Sequence, residues 1–134
     1  MKRVHLDANV VLRFLRDDDP KQSPSARRLI GEANDGKVTL ILSAVTTAEI
    51  FYVLRASYKL PRFEIAGLMV DLVRSGVIEV EHEVRVLDAL GRVQTEHVDF
   101  GDAWLAATAA EAGEPVATFD EDFAGMARVQ RHGW

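Results

Sequence analysis

The chain contains no cysteine. Disulfides, thiolate zinc sites and cysteine nucleophiles are therefore excluded, and a reducing compartment suits it. It also lacks any run of about 18 apolar residues, the least that a membrane-spanning helix needs. The basic start Met1-Lys2-Arg3 is not followed by the apolar core of a signal peptide. A cytoplasmic protein without a membrane partner is expected. Proline is scarce, and no Gly/Pro/Ser-rich stretch, repeat or low-complexity tract marks a linker. Basic charge is in deficit too. Sixteen Lys and Arg face 21 Asp and Glu, giving a net charge of −5, which argues against general adhesion to nucleic acid or anionic lipid. The deficit is uneven: residues 1–64 hold eleven basic against eight acidic residues, and residues 65–134 hold five against thirteen. A nucleic-acid strand would favour the first half.

What is present is enough for one domain, 1–134, which at this length buries roughly two thirds of its unfolded surface without staples. Val4-His5-Leu6 reads as a strand ending at Asp7, followed by a short helix through Val10, Val11, Leu12, Phe14 and Leu15. Asp17-Asp18-Asp19-Pro20 breaks that helix. Ser23 as cap and Pro24 at the first position open another, which stops at Asn34-Asp35-Gly36. Val38–Leu42 is a dense β-branched strand, and Thr46 or Thr47 opens the next helix. Pro61 opens a further helix, ended by Ser75-Gly76 before the strand Val77–Val80. A helix is expected over about 83–96. Asp99 then caps an alanine-rich helix, Phe100 to Ala112, closed by Gly113. Pro115–Thr118 reads as a final strand leading to Asp120, and the tail around Val129 and Trp134 as an edge strand. Strands alternating with helices predict an α/β fold, a three-layer α/β/α sandwich on a mostly parallel sheet.

In such a fold the carboxyl ends of strands and the amino ends of the following helices share one rim, where ligands bind. Asp7, Glu49, Asp102 and Asp120 are all placed at that rim. Two carboxylates about 4 Å apart repel by roughly 4 kcal/mol at an effective dielectric near 20, so four together require protons or cations. Oxygen ligands suit Mg²⁺ or Mn²⁺, which keep waters that can be activated for phosphodiester hydrolysis. Each acid also has a plainer use. Thr46-x-x-Glu49 matches a capping box, Asp102 complements a helix dipole, and Asp7 and Asp120 can simply begin turns.

Val4-His5-Leu6-Asp7-Ala8-Asn9-Val10, the Glu49 helix, Asp99-Phe100-Gly101-Asp102-Ala103 and Thr118-Phe119-Asp120-Glu121-Asp122-Phe123 together resemble a PIN-domain ribonuclease of the VapC toxin type. The resemblance spans essentially the whole chain. It implies a metal-dependent endoribonuclease acting on RNA, the toxin of a type II toxin–antitoxin pair, with Asp7, Glu49, Asp102 and Asp120 holding Mg²⁺ or Mn²⁺. It also implies supporting roles for Asn9, Thr118 and Asp122, a homodimer, and a cognate antitoxin that covers the site. Gly101 departs from the bulkier residue many relatives carry before the third acid.

Arg13, Arg16, Arg28 and Arg55, with Lys21, Arg27, Lys59 and Arg62, are the basic residues expected to offer phosphate contacts, although many surface cations only solvate. His5, His82, His97 and His132 form no i, i+4 pair for zinc and no triad order. Two rival functions remain. One is a catalytically silent PIN-like scaffold. The other is a haloacid-dehalogenase-like phosphatase with Asp7 as nucleophile, for which Asn9 cannot serve as the general acid two residues on.

Overall fold

Three short stretches, of which the middle one is mainly apolar, supply the sheet. In the computed structural model, which describes residues 1–134, they are β1 (Arg3–His5), β2 (Thr39–Leu42) and β3 (Ile78–Val80). All pair in parallel, in the order β1-β2-β3, with Val4 opposite Leu40 and Leu40 opposite Ile78. The middle strand is the most deeply placed, and Leu40 and Leu42 are inaccessible. Burial of each contributes about 1.5–3 kcal/mol. A run without alternation is what a strand covered on both faces requires.

The helices that cover the sheet are α1 (Ala8–Arg16), α2 (Gln22–Asn34), α3 (Ala44–Ala56), α4 (Arg62–Arg74), α5 (Glu83–Glu96) and α6 (Phe100–Ala112). This is the expected α/β architecture, a parallel sheet flanked by helices. On α4 the buried residues Ile65, Met69, Leu72 and Val73 fall on one helical stripe, while Phe63 stays exposed. On α6 the fully buried Ala103, Ala106 and Ala107 present little side-chain bulk, which lets α6 pack closely on α5. Gly113 closes that helix with φ +68°, a conformation that costs a residue with a Cβ energy. Thirty buried residues make one continuous core around Phe51 and Phe100, whose ring centroids lie 5.9 Å apart. No helix is long and apolar enough to cross a membrane.

Four local expectations are corrected. The stretch Pro115–Thr118 is not a sheet strand: Val116 makes a single parallel bridge to Arg131, and the tail pairs there rather than along the sheet edge. Only Val116 of that stretch is buried, and Pro115 brings no N–H for a ladder. The second helix begins at Gln22, because Asp19 Oδ1 accepts from the amides of Lys21 and Gln22 at 2.9 and 2.7 Å. Ser23 is buried instead, donating its hydroxyl to the Arg13 carbonyl. The third helix begins at Ala44, since Ser43 Oγ takes the capping bond from the Thr46 amide at 3.1 Å. Finally, Asp99 sits at the cap position of α6 without capping it: its carboxylate accepts from Arg62 Nε at 2.8 Å.

Candidate active site

Asp7 follows β1 directly and stands at the amino end of α1, in extended backbone conformation with no side-chain capping bond. Its exposed carboxylate is therefore not used by the helix. It lines a cavity of about 630 Å³ between α1 and α2, together with Asn9, Arg13, Lys21, Gln22 and Ser25. None of the other three acids lines that cavity. Arg13 is held rigidly there. Its Nε donates to Gln22 Oε1 at 2.9 Å, and its Nη1 donates to Tyr58 Oη at 3.0 Å and to Asp18 Oδ1 at 3.3 Å. The Tyr58 hydroxyl donates onward to Asp18 Oδ2 at 2.7 Å, which holds the Asp18 carboxyl below its usual range.

Glu49 lies in the second turn of α3, exposed, because the helix starts at Ser43–Ala44. The capping-box explanation for this acid is thereby removed: Thr46 is inside the helix and Ser43 does the capping. Three residues on, on the same helix face, the Tyr52 hydroxyl accepts from the Gly101 amide at 2.9 Å. That bond fastens the amino end of α6, and hence Asp102, to the face of α3 that carries Glu49. Gly101 is explained by the same contact, since a Cβ there would stand 2.8 Å from the Tyr52 hydroxyl. Tyr52→Phe is expected to cost about 1 kcal/mol. Gly101→Ala should destabilise in the native background yet gain up to about 1 kcal/mol of helix propensity once the hydroxyl is gone. A thermal-denaturation double-mutant cycle reads this coupling, and simple additivity would exclude it.

Asp102 occupies the first turn of α6 and is half-buried. Burial raises its carboxyl above the ordinary range, and the negative charges of Asp120, Asp122 and Asp99 push it further. Asp120 begins the 3₁₀ turn Glu121–Phe123. Its amide donates to Thr118 Oγ1 at 2.9 Å, and its Oδ1 accepts from the Asp122 amide at 2.9 Å. Thr118 is thus an orienting residue for the Asp120 loop. Arg62 answers part of the negative field. Its hydrogen bond to Asp99 and the nearby Asp122 charge raise its already high proton affinity.

The acids therefore do not form one cluster. Asp102 feels the charges of Asp120, Asp122 and Asp99, whereas Asp7 fronts the cavity between α1 and α2, in the sequence's basic half. No three Asp, Glu or His side chains stand at the separations of a formed metal centre. The donor set is all oxygen, and its crowding at Asp102 suits a hard divalent cation.

Among the basic residues, Arg28 and Lys21 are exposed and form no ion pair, and Arg16 lies over the Tyr58 ring at 5.5 Å. Arg27 pairs with Asp17. Arg55 Nη1 is committed to the Leu60 carbonyl at 3.2 Å, closing the α3–α4 turn. Tyr52 as a positioning residue and Asp99–Arg62 as an internal ion pair were not expected as such. The i, i+3 spacing of Asp99 and Asp102 was the one available signal.

No curated protein matches the chain closely enough to serve as a relative. The family model for the PIN domain matches residues 4–129. PIN domains are generally nucleases. With that match running from β1 past Val116 to Val129, the chain belongs to the PIN-domain family.

Proposed function

We propose that this protein is a metal-dependent endoribonuclease, and that it acts as the toxin of a type II toxin–antitoxin pair. The observation that carries the catalytic part is the environment of Asp102. A half-buried carboxyl facing three further carboxylates holds protons more tightly than usual, and the same field favours a divalent cation. Asp7, Glu49, Asp102 and Asp120 would hold Mg²⁺ or Mn²⁺. When bound, such an ion supplies an activated water and stabilises the leaving oxygen of the phosphodiester.

The chain's own groups prepare that chemistry. Thr118 and the Asp122 amide fix Asp120, Tyr52 fixes the start of α6, and Arg62 offsets Asp99 so that the cluster is not unbalanced throughout. Asn9, next to Asp7 on the cavity wall, would orient a water or carboxylate. Arg13 and Lys21 in that cavity, with Arg16 and Arg28 nearby on α1 and α2, would hold backbone phosphates of RNA. Arg55, whose Nη1 donates to the Leu60 carbonyl, would offer its remaining guanidinium donors in the same way.

The toxin role, a homodimer and a small antitoxin that covers the site with a basic side chain follow from the family resemblance, and a cytoplasmic setting from the composition. The continuous core supports reading 1–134 as one PIN domain. Antitoxin-free protein is expected to cleave labelled RNA with Mg²⁺ or Mn²⁺, to stop on addition of EDTA, and to resume when Mn²⁺ is restored. Inactivity with every ion would leave the silent scaffold. Phosphate trapped covalently on Asp7 would instead favour the phosphatase.

A further inference from the structure

Next to Asp120 the surface carries an arrangement that hydrolysis itself does not use. Phe119 is 88% exposed and Trp134 is 78% exposed, more than any other Phe, Tyr or Trp of the protein. Their rings are stacked, with centroids 5.0 Å apart and planes 11° from parallel. His132 abuts the Trp134 ring edge-on, at 5.0 Å and 86°. The rings border an open depression of about 530 Å³ that Thr118 and Arg131 also line.

The backbone explains why two distant residues meet. Val116 and Arg131 form a parallel bridge, fixed by Val116 N–H to the Gln130 carbonyl at 2.8 Å and His132 N–H to the Val116 carbonyl at 2.7 Å. Parallel chains advance together, so residues at equal offsets from a bridge emerge side by side. Phe119 and Trp134 each lie three residues beyond their bridge partner. Arg131 Nη1 reaches Glu121 Oε2 at 3.3 Å, which ties the second chain to the Asp120 turn.

A stack of two water-exposed rings leaves flat apolar faces unburied, and what covers such a face at least cost is another flat π-system. Every nucleobase has one. Phe119 is joined directly to Asp120, so a base lying on the stack sets its own sugar-phosphate beside the acidic rim. Arg131, partly exposed and paired only at the surface, stands where that phosphate would pass.

We infer that Phe119 and Trp134 form a stacking platform for one unpaired base of the RNA strand, adjacent to the phosphate that is cleaved. The inference rests on the ribonuclease reading and narrows its substrate to RNA that is single-stranded at that nucleotide. A duplex keeps its bases in their own stack and cannot offer one.

The test is equilibrium binding of a labelled single-stranded oligoribonucleotide to the full chain in EDTA, where nothing is cleaved, beside the same sequence as a duplex. Phe119→Ala and Trp134→Ala should each weaken single-strand binding about five- to 150-fold. Trp134→Phe should restore most of it, and duplex binding should not respond to any of the three. Unchanged single-strand affinity in both alanine variants would overturn the inference. So would a change of oligomeric mass without a change in RNA affinity, which would make the stack a protein contact. Cleavage assays of the native chain report separately on the ribonuclease reading. Platform-dependent binding without any metal-stimulated cleavage would remove that reading alone, whereas cleavage with platform-independent binding would remove only this inference.

Discussion

Asp102→Asn is expected to lower RNA cleavage by at least about a hundredfold, since even groups that merely orient metal ligands are worth 10–100-fold, and to raise the melting temperature of the metal-free protein. Both effects come from one cause. Burial, and then the charges of Asp120, Asp122 and Asp99, lift the Asp102 carboxyl above its ordinary range. A group raised in this way contributes stability that is fully present below its unfolded pKa and is lost as pH rises through the folded one. Metal-free protein therefore loses stability across and just above the carboxylate range, and an asparagine, which cannot ionise, escapes that loss. Thermal unfolding in EDTA should show native and variant chains close together at acid pH and diverging as pH rises, with the variant more stable. Adding Mg²⁺ or Mn²⁺ should reverse the order, because a ligand that binds only the folded native chain stabilises it by mass action. A variant with near-native cleavage, or a native chain that gains nothing from either ion, would remove Asp102 from the metal set.

Where local chemistry decides, the chain was legible. Pro61 before α4, Gly113 after α6 and the β-branched run of β2 each impose a backbone outcome within a few residues, and each element lies where that chemistry puts it. The misplacements share another cause. Ser43 and Thr46 are both good caps, and the choice fell to Ser43 because β2 ends at Leu42. Asp19, rather than Ser23, takes the free amides at the start of α2, because the Ser23 hydroxyl is drawn inward to Arg13. Pro115–Thr118 has strand-like composition, but its hydrogen bonds go to residues 130–132, a pairing no local pattern announces. The candidate site divides in the same way. Asp7 and Asp102 were visible because one follows a strand end and the other a helix start, whereas the groups that position the acids act across long sequence separations. Tyr52 reaches Gly101 over 49 residues and Arg62 reaches Asp99 over 37. The Phe119–Trp134 stack likewise exists only through a bridge made elsewhere.

The largest effect on stability is expected at Asp88, far in role from the acidic rim. Arg92, one turn along α5, is only 5% exposed, and its Nε donates to Asp88 Oδ1 at 3.1 Å. Its Nη1 and Nη2 are buried without a protein partner. The second cation near that carboxylate, Arg128 at 3.4 Å, is largely in solvent and contributes little. Asp88 is thus the single counterion of a guanidinium that has given up its water. Removing one partner of a buried pair costs about 3–5 kcal/mol, because a desolvated charge is left uncompensated. Asp88 is itself partly solvated, so Asp88→Ala should fall toward the lower end of that range, still a large share of a domain's usual 5–15 kcal/mol. Arg92→Met keeps the long apolar stem and removes the charge together with its two unpartnered nitrogens. It should therefore be neutral or stabilising by about 1–4 kcal/mol. The double variant should recover most of what Asp88→Ala loses. Urea midpoints at unchanged m-value measure all three. If Asp88→Ala costs less than about 1 kcal/mol, or if Arg92→Met destabilises as much as Asp88→Ala, the guanidinium draws its compensation from the surrounding backbone rather than from Asp88.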